Sequence, residues 1–198
     1  MLEFVIENEE RDRGSRVICG VDEAGRGCLC GRVYAGAVVL PSDYKNPELN
    51  DSKKLSEKKR EMLYSQIVKD ALYYGIGFAE VEEIEQINIL NAAMLAMRRA
   101  VDALGVTVDI ALIDGNTARG FECKTRTVIK GDSISPSIAA ASVLAKVSRD
   151  RYICDLAKKY PQYGFEKHKG YCTKAHTEAL HKYGPCDIHR MSFLKKIL

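Results

Sequence analysis

The sequence predicts an α/β protein, with a mixed sheet flanked by helices and a small basic helical appendage at its C-terminal end. Three observations lead to this prediction. Short β-branched runs alternate with longer stretches of helical periodicity, two of the runs follow each other through a glycine-rich connection, and basic residues concentrate in the last fifth of the chain. A chain of 198 residues can bury roughly 70% of its extended surface, so one core is expected.

Five apolar runs predict the strands of the sheet. Residues 16–22 and 32–40 are β-branched and form a pair across the glycine-rich connection. Residues 72–79 predict a third strand. Residues 109–114 form a short apolar run with Asp at each end, as a buried central strand would, and residues 125–130 predict a fifth strand.

Polar caps and apolar periodicity predict the first two helices. Ser56, followed by Glu57, is typical of an N-cap and opens a helix that runs towards Asp70. A longer helix extends over residues 81–104, and Gly105 is its predicted C-terminal stop. Its apolar side chains recur at helical spacing and are predicted to be core: Ile84, Ile87, Met94, Met97, Val101 and Leu104.

Two further helices are predicted in the second half of the chain. Ser135 followed by Pro136 is typical of an N-cap with proline at the first helical position, and the small residues after it predict close packing. Thr173 caps the last predicted helix, which ends at Gly184-Pro185. We find no internal repeat or linker, which is typical of one domain with an appendage. Residues 1–15 are interpreted as an N-terminal extension, 16–157 as the main domain and 158–198 as a helical region packed on it.

Composition excludes several classes of protein. The chain has no apolar run long enough to cross a bilayer, and its acidic N-terminus lacks the features of a secretory signal, so we expect a cytoplasmic protein that does not bind a membrane. Seven cysteines without a C-x-x-C pair indicate reduced thiols rather than a zinc knuckle or a disulfide framework, and Cys28 and Cys30 are expected to be small buried or half-buried side chains.

The positive charge is uneven along the chain. Residues 158–198 hold nine Lys/Arg, three Asp/Glu and all four histidines, although the whole chain has a net charge of only +3. Such a region can neutralise phosphates, and it can equally be a solvated lysine-rich surface.

Two aspartates follow apolar runs directly. Asp22 and Asp114 each end a predicted strand, and each is followed by residues that break it, Gly25 being the breaker in the first case. Strand ends are where ligands bind in open α/β sheets, so the two can converge on one site. Each can also simply cap a turn, as Asp commonly does.

Several motifs in fixed order extend the pattern over most of the chain. They are GVDEAGRG at 20–27, DSKKLS at 51–56, IDG at 113–115, KGDSISPSIAAASVLAKVSRDR at 130–151 and HKGY at 168–171. Together they resemble the type 2 ribonuclease H family (ribonuclease HII) from about Val17 to Phe193. The resemblance implies a ribonuclease H-like sheet, with 16–157 as the catalytic domain and 158–198 as a substrate-binding region.

The same resemblance implies an acidic site for two Mg²⁺ or Mn²⁺ ions, formed by Asp22, Glu23, Asp114 and Asp132. Two carboxylates about 4 Å apart repel by roughly 4 kcal/mol at an effective dielectric of 20, so a cluster of this kind binds protons or cations. Oxygen ligands select hard ions, and two ions can stabilise the attacking and leaving oxygens at phosphorus. Neighbouring strand residues point to opposite faces, so Asp22 and Glu23 share the ions only if the strand ends there.

The implied activity is endonucleolytic cleavage of the RNA strand of RNA–DNA hybrids and 5′ of single ribonucleotides in duplex DNA, leaving 5′-phosphate and 3′-hydroxyl ends. Gly25, Arg26, Gly27 and Tyr171 match the family residues that recognise the ribose 2′-hydroxyl, the group that distinguishes RNA from DNA. Further side chains are candidates for contacts with phosphates: Lys53, Lys54, Ser135, Ser137, Lys146, Lys169 and Lys174.

The sequence departs from the family pattern near these positions. Cys28, Cys30 and Arg32 stand where proline and small residues are usual, and Cys172 follows the tyrosine, which leaves the pose of the 2′-hydroxyl open and predicts sensitivity to thiol oxidation. The C-terminal SFLKKIL lacks the glutamine and paired aromatics of a sliding-clamp peptide, so no clamp contact is predicted, and the family resemblance favours a monomer.

Two rival functions remain open on the residues alone. The first is another metal-dependent nuclease or a strand-transfer enzyme with an acidic α/β site. The second is a non-catalytic hybrid-binding module whose acids serve as turn caps.

Overall fold

The computed structural model describes residues 2–50, 52 and 55–198. Its centre is a five-stranded sheet of order β3-β2-β1-β4-β5. The strands are β1 (Ile18–Ala24), β2 (Val33–Val39), β3 (Tyr73–Ala79), β4 (Ile110–Asp114) and β5 (Lys124–Val128). Strands β1, β2 and β3 pair antiparallel, whereas β1, β4 and β5 pair parallel. The predicted mixed sheet is confirmed, with strand ends shifted by one or two residues.

Helices cover both faces of the sheet. They are α1 (Val5–Asp12), α2 (Glu57–Asp70), α3 (Val81–Asp102), α4 (Pro136–Lys159), α5 (Phe165–His168), α6 (Lys174–Tyr183) and α7 (Met191–Leu194). One core cluster joins α3 to the face of the sheet that carries Val21 and Ala35, and a second joins α2 and α4 to the face that carries Val38. A third cluster lies under the C-terminal helices.

Helix α4 packs directly on β1, because Gly20 has no side chain. A Cβ added at Gly20 would lie 2.1 Å from the carbonyl carbon of Ser137, in the first turn of α4. The small residues of that helix confirm the predicted close packing, since Ala139 and Ala140 are fully buried. Residues 20 and 22 of β1 therefore face α4, and the start of α4 lies against the strand that carries Asp22.

The predicted N-caps are confirmed. Ser56 accepts a hydrogen bond from the Lys59 amide at 3.3 Å, and Ser135 accepts one from the Ile138 amide at 3.2 Å. Thr173 does the same for α6, whose C-cap is Gly184. The prediction that this is the last helix was wrong, because the short helix α7 follows it.

Helix α3 contains a break that the periodicity does not predict. Asn88 has φ 65° and ψ 164°, and its side-chain oxygen accepts hydrogen bonds from the amides of Leu90 and Asn91 at 3.0 and 3.2 Å. The helix thus restarts at Asn88, and the register of its apolar stripe shifts there. The prediction of Ile87 as core was wrong for this reason, since Ile87 is 37% exposed.

The N-terminal segment forms a helix that the sequence analysis did not predict. Ile6 of α1 packs in a small cluster with Ile18 of β1 and Ile138 of α4, and Arg126 of β5 forms ion pairs with Glu9 and Glu10. These contacts fix α1 across the edge of the sheet and beside the start of α4. The domain limits at residues 15 and 157 remain predictions.

Two expectations drawn from composition can be compared with the structure. Cys28 and Cys30 are buried, which confirms the expectation for these two thiols, whereas Cys172 is exposed and lies just after an isolated β-bridge at Tyr171. In the part of the chain that the structure describes, no helix has the length and apolar character needed to cross a membrane.

Candidate active site

Three aspartates from distant parts of the chain meet at one end of the sheet. Asp22 lies near the end of β1, Asp114 ends the parallel neighbour β4, and Asp132 lies in a 3₁₀ turn, Gly131–Ser133, that leads to α4. One carboxylate oxygen of each lies within 4.8 Å of those of the other two. The convergence of Asp22 and Asp114 follows from the register, since Val21 pairs with Ile113 and the next residues are neighbours.

The site is largely shielded from water. Asp22 is 2% exposed and Asp132 is 6% exposed. Asp114 accepts a hydrogen bond from the Gly131 amide at 2.7 Å, which fixes the 3₁₀ turn against β4. Three carboxylates this close repel one another strongly, and all their ligand atoms are oxygens. The group therefore fits a hard divalent cation such as Mg²⁺ or Mn²⁺ better than zinc.

Glu23 lies outside this group of three. Strand β1 continues to Ala24 instead of ending at Glu23, so Asp22 and Glu23 alternate between the two faces of the sheet. The Glu23 carboxylate lies 3.2 Å from the Arg26 guanidinium. The structure thus brings together three of the four carboxylates predicted for the site and places the fourth beside the glycine loop.

Arg190 contacts the backbone carbonyls of the glycine loop, which comprises residues 25–27. This guanidinium is fully buried. Its nitrogens make five contacts of 2.7 to 3.1 Å: two with the Gly31 carbonyl, and one each with the carbonyls of Gly25, Arg26 and Cys28, which share the two protons of Nη1. Its carbonyl partners lie about 160 residues earlier in the chain.

A second buried guanidinium, Arg149 of α4, packs under the same loop. It donates to the carbonyls of Lys169 and Cys30 at 3.0 and 3.3 Å. Gly25 has φ +100°, and a Cβ there would lie 2.1 Å from the Arg149 Nε. The position therefore requires glycine on both conformational and steric grounds.

Tyr171 joins the glycine loop through backbone pairing. Cys28 and Tyr171 form an isolated antiparallel bridge, and the Leu29 amide donates to the Gly170 carbonyl at 2.9 Å. The Tyr171 side chain remains 42% exposed. Partial burial of its phenol raises the pKa of Tyr171 above its usual value, so the phenol stays protonated near neutral pH. Residues 25–27 and Tyr171, predicted as one recognition surface, thus lie side by side.

The five lysines predicted to contact phosphates fall into three groups. Lys146 lies at this surface, with its ammonium 5.5 Å from the centre of the Tyr171 ring and 2.8 Å from Asp150, and the Lys174 side chain is 90% exposed. Lys169 is bound internally, to the Glu166 carbonyl and the Cys154 sulfur at 2.8 and 3.0 Å. Lys53 and Lys54 lie outside the described residues.

Ser135 and Ser137 do not fit the phosphate role that the sequence predicts for them. Ser135 is 0% exposed and Ser137 is 1% exposed. The Ser135 hydroxyl accepts from the Ile138 amide and donates to Glu7 of α1, and the Ser137 amide donates to the same Glu7 oxygen. Their polar groups complete the N-terminal turn of α4 against α1, so they cannot reach a phosphate outside it.

A second cluster of possible metal ligands lies under the C-terminal helices and comprises Cys30, His176 and His189. Its imidazoles form a complete chain of hydrogen bonds. His189 Nδ1 accepts from the Cys186 amide at 2.9 Å, which leaves Nε2–H to donate to His176 Nε2 at 3.1 Å, and His176 Nδ1–H donates to the Tyr171 carbonyl at 3.0 Å. Burial lowers the pKa of His176 to about 4. The neutral pair thus links Tyr171 to the C-terminal helices without an ion.

Sequence reasoning missed Glu7, Arg149 and Arg190. All three have charged side chains that are at most 1% exposed. A buried Arg or Glu carries the same letter as a surface one, and nothing in the spacing of Arg190 marks it as internal. The one usable signal is at Arg149, which lies on α4 among small buried residues such as Ala145.

Comparisons with known proteins identify the family and the fold. A family model described as Ribonuclease HII matches residues 19–196. The Ribonuclease HII of Caldicellulosiruptor bescii is 52% identical over 195 residues, which is 98% of this chain and 95% of the relative. The ribonuclease H2 of Pyrococcus horikoshii OT3 matches with a TM-score of 0.74 and 25% identity, over 92% of this chain and 97% of that chain.

Two further solved structures share the fold at lower identity. The RNase HII of Archaeoglobus fulgidus, solved as a complex with PCNA, has a TM-score of 0.71 and 24% identity over 89% of this chain and 94% of that one. Bst-RNase HIII, solved in complex with Mn²⁺, has a TM-score of 0.65 and 14% identity over 85% and 63%. The family model spans nearly the whole chain, and the relative is identical at about half of its positions. The chain therefore belongs to the ribonuclease HII family.

Proposed function

We propose that this ribonuclease H hydrolyses the RNA strand of RNA–DNA hybrids and also cuts 5′ of single ribonucleotides in duplex DNA, by a two-metal-ion mechanism that leaves 5′-phosphate and 3′-hydroxyl ends. The observation that carries the proposal is the meeting of Asp22, Asp114 and Asp132, each from a different part of the chain, within 4.8 Å. Two of these acids are buried and all three repel one another at this separation, so a divalent cation would stabilise the group.

The metal ligands in this proposal are the three aspartates. Glu23 joins the second ion only if its side chain turns from Arg26 towards the aspartates when metal binds. The bound ions supply Lewis-acid stabilisation of the attacking and leaving oxygens. Mg²⁺ and Mn²⁺ both suit oxygen ligands, and the Mn²⁺ complex of Bst-RNase HIII makes Mn²⁺ a sensible first ion to test. The chain itself contributes the spacing, since β1, β4 and the 3₁₀ turn before α4 hold the carboxylates in place.

Ribonucleotide recognition is assigned to the glycine loop and Tyr171. Arg190 engages the carbonyl oxygens of Gly25, Arg26 and Cys28 from beneath, which leaves the N–H groups as the loop's polar groups for a substrate oxygen. A 2′-hydroxyl can accept from such an amide, and deoxyribose has no oxygen there. The half-exposed Tyr171 ring lies next to the loop and can pack on the sugar beside the scissile junction.

The duplex backbone is assigned to three basic side chains, the exposed Arg26 and Lys174 and the partly buried Lys146. These groups position phosphates without reading bases, so binding should be independent of sequence and should weaken steeply with salt. An affinity that stays constant between low and physiological salt would contradict this assignment.

The central experiment is cleavage of a DNA duplex that carries one ribonucleotide, with Mg²⁺, Mn²⁺ or EDTA. Asp22→Asn and Asp132→Asn should abolish cleavage and leave the fold intact. Asp109→Asn is a matched control, because Asp109 lies at the opposite end of β4, where it accepts from the amides of Arg16 and Val17. Retained activity in either site variant would remove that residue from the metal site.

The same assay separates the rival functions. Equal cleavage of an all-DNA duplex would indicate a different metal-dependent nuclease or a strand-transfer enzyme. Binding of the hybrid without turnover in either metal would indicate a non-catalytic module.

We further propose that the chain acts as a monomer and makes no clamp contact through residues 192–198. Leu194 is 1% exposed and packs in the C-terminal core cluster, with Phe193 and Ile197 beside it. A clamp-binding peptide must leave the domain to reach its partner, and this packing opposes that. Sedimentation with and without a sliding clamp tests both statements.

A further inference from the structure

We propose that Glu7 is a positioning residue for the metal site, acting through the N-terminal turn of α4 on the segment that carries Asp132. Glu7 belongs to α1, which precedes the residues matched by the family model. The inference rests on the proposed function, since it takes the three aspartates as metal ligands. It adds a role for the N-terminal helix that none of the site motifs contains.

The contacts of Glu7 are directed at the start of α4. Its Oε1 accepts a hydrogen bond from the Ser135 hydroxyl at 2.6 Å and another from the Ser137 amide at 3.1 Å. Glu7 is 1% exposed. An acidic group at a helix N-terminus is stabilised by the unpaired amides and by the helix dipole, so this location can hold a buried carboxylate.

Hydrogen bonds connect this contact to the metal ligands. Ser135 donates its amide to the Gly131 carbonyl at 2.8 Å, and Gly131 in turn donates its amide to Asp114 at 2.7 Å. Asp132 lies between these two anchored residues, in the 3₁₀ turn. Five residues, 131–135, are therefore held at one end by a metal ligand and at the other by Glu7.

The second carboxylate oxygen of Glu7 indicates that the arrangement is more than a packing contact. Oε2 is buried and has no hydrogen-bond partner among the described residues. A buried unpartnered oxygen is destabilising, so a chain selected for stability alone would favour a smaller cap here. A buried oxygen left unpaired calls for an explanation, and a role in fixing the segment that carries Asp132 supplies one.

Direct binding of Mn²⁺, measured by isothermal titration calorimetry on the full chain, tests the proposal without relying on turnover. Glu7→Ala removes both hydrogen bonds and should weaken Mn²⁺ affinity about tenfold, as loss of a supporting shell around metal ligands does. Glu7→Gln keeps an acceptor oxygen and should stay within about threefold of the wild type. Glu7→Asp keeps the charge but is one methylene shorter, so it should bind Mn²⁺ more weakly than Glu7→Gln.

Glu10→Ala is the matched control. Glu10 lies on the same helix, is 4% exposed and pairs with Arg13 and Arg126 instead of α4. It should lower thermal stability and leave Mn²⁺ affinity unchanged. If Glu7→Ala does not fold, the order of Glu7→Gln and Glu7→Asp decides the question.

Two results would overturn the proposal: wild-type affinity in both Glu7→Ala and Glu7→Asp, or an equal loss in Glu10→Ala, which would mean that any loosening of α1 has the same effect. Absence of Mn²⁺ binding by the wild-type chain would instead overturn the proposed function.

Discussion

Replacing Arg190 with lysine should destabilise the protein although the charge is kept. The Arg190 guanidinium makes five contacts of hydrogen-bond length with four backbone carbonyls, three of them through the two protons of Nη1. An ammonium has three protons, so at least one of the four carbonyls loses its donor. The lost hydrogen bond from a charged donor contributes roughly 1.5 kcal/mol, and the buried carbonyl left unpaired costs about as much again, which gives a loss of about 3 kcal/mol in the free energy of unfolding.

Urea denaturation followed by circular dichroism measures this loss. For a chain of this size, a change of about 3 kcal/mol also corresponds to a fall of roughly 6–12 °C in the melting temperature. Cleavage of the single-ribonucleotide duplex should fall as well, because the freed carbonyls let the glycine loop move. Arg11→Lys makes the same chemical change at an exposed position of α1 and should alter stability by less than about 0.5 kcal/mol.

The reasoning fails if Arg190→Lys unfolds within about 1 kcal/mol of the wild type. That result would mean that water or the lysine itself satisfies the carbonyls of residues 25–31, and that the loop does not depend on the guanidinium fork.

Three further predictions concern the fold. Gly20→Ala should cost about 3 kcal/mol, because its Cβ would meet the Ser137 backbone at 2.1 Å, and a wild-type urea midpoint would contradict that contact. Asn88→Ala should cost about 2 kcal/mol through the lost cap and the strained φ, whereas Asn88→Gly should be nearly neutral; equal losses in urea would show that the backbone conformation is not strained. Stability should fall as pH drops from about 6.5 to about 4, by up to roughly 1.4 kcal/mol per pH unit, because the unfolded chain protonates its histidines while buried His176, with its pKa lowered to about 4, stays neutral. A slope unchanged in His176→Gln, measured from urea midpoints, would refute this.

The sequence predicted well those features of the fold that depend on residues close together in the chain. The caps at Ser56, Ser135 and Thr173 depend on residues three positions away, so they are visible in a short window. The strands were found for a similar reason, since their apolar runs are continuous. Ile87 was assigned wrongly because the break at Asn88 depends on one side chain that caps the second half of α3.

The sequence predicted the site residues that a motif contains. It did not predict the residues whose role depends on their burial in the fold. Asp22, Asp114 and Asp132 were recognised from their motifs, and the sheet register explains why the first two meet. The position of the Glu23 side chain depends on where β1 ends. The strand-breaking residue Gly25 does not by itself predict that end.

The sequence could not predict the roles of Ser135 and Ser137, because the residue that accepts their hydrogen bonds lies on another helix. Nothing near Ser135 or Ser137 reveals that a glutamate 128 and 130 residues earlier will accept their hydrogen bonds. Helix α1 is polar along most of its length, so its place in the fold became visible only through the contacts of its buried residues Ile6, Glu7 and Glu10.

The link between Arg190 and Gly25 also bears on how the protein is made. The two residues are 165 positions apart, so the carbonyls of the glycine loop lack their donor until almost all of the chain described here has left the ribosome. Contacts of such long range form late in folding. If the glycine loop reads the ribose as proposed, the nascent chain should acquire its sheet and acidic group first, and selectivity for ribose would be the last property to mature during synthesis.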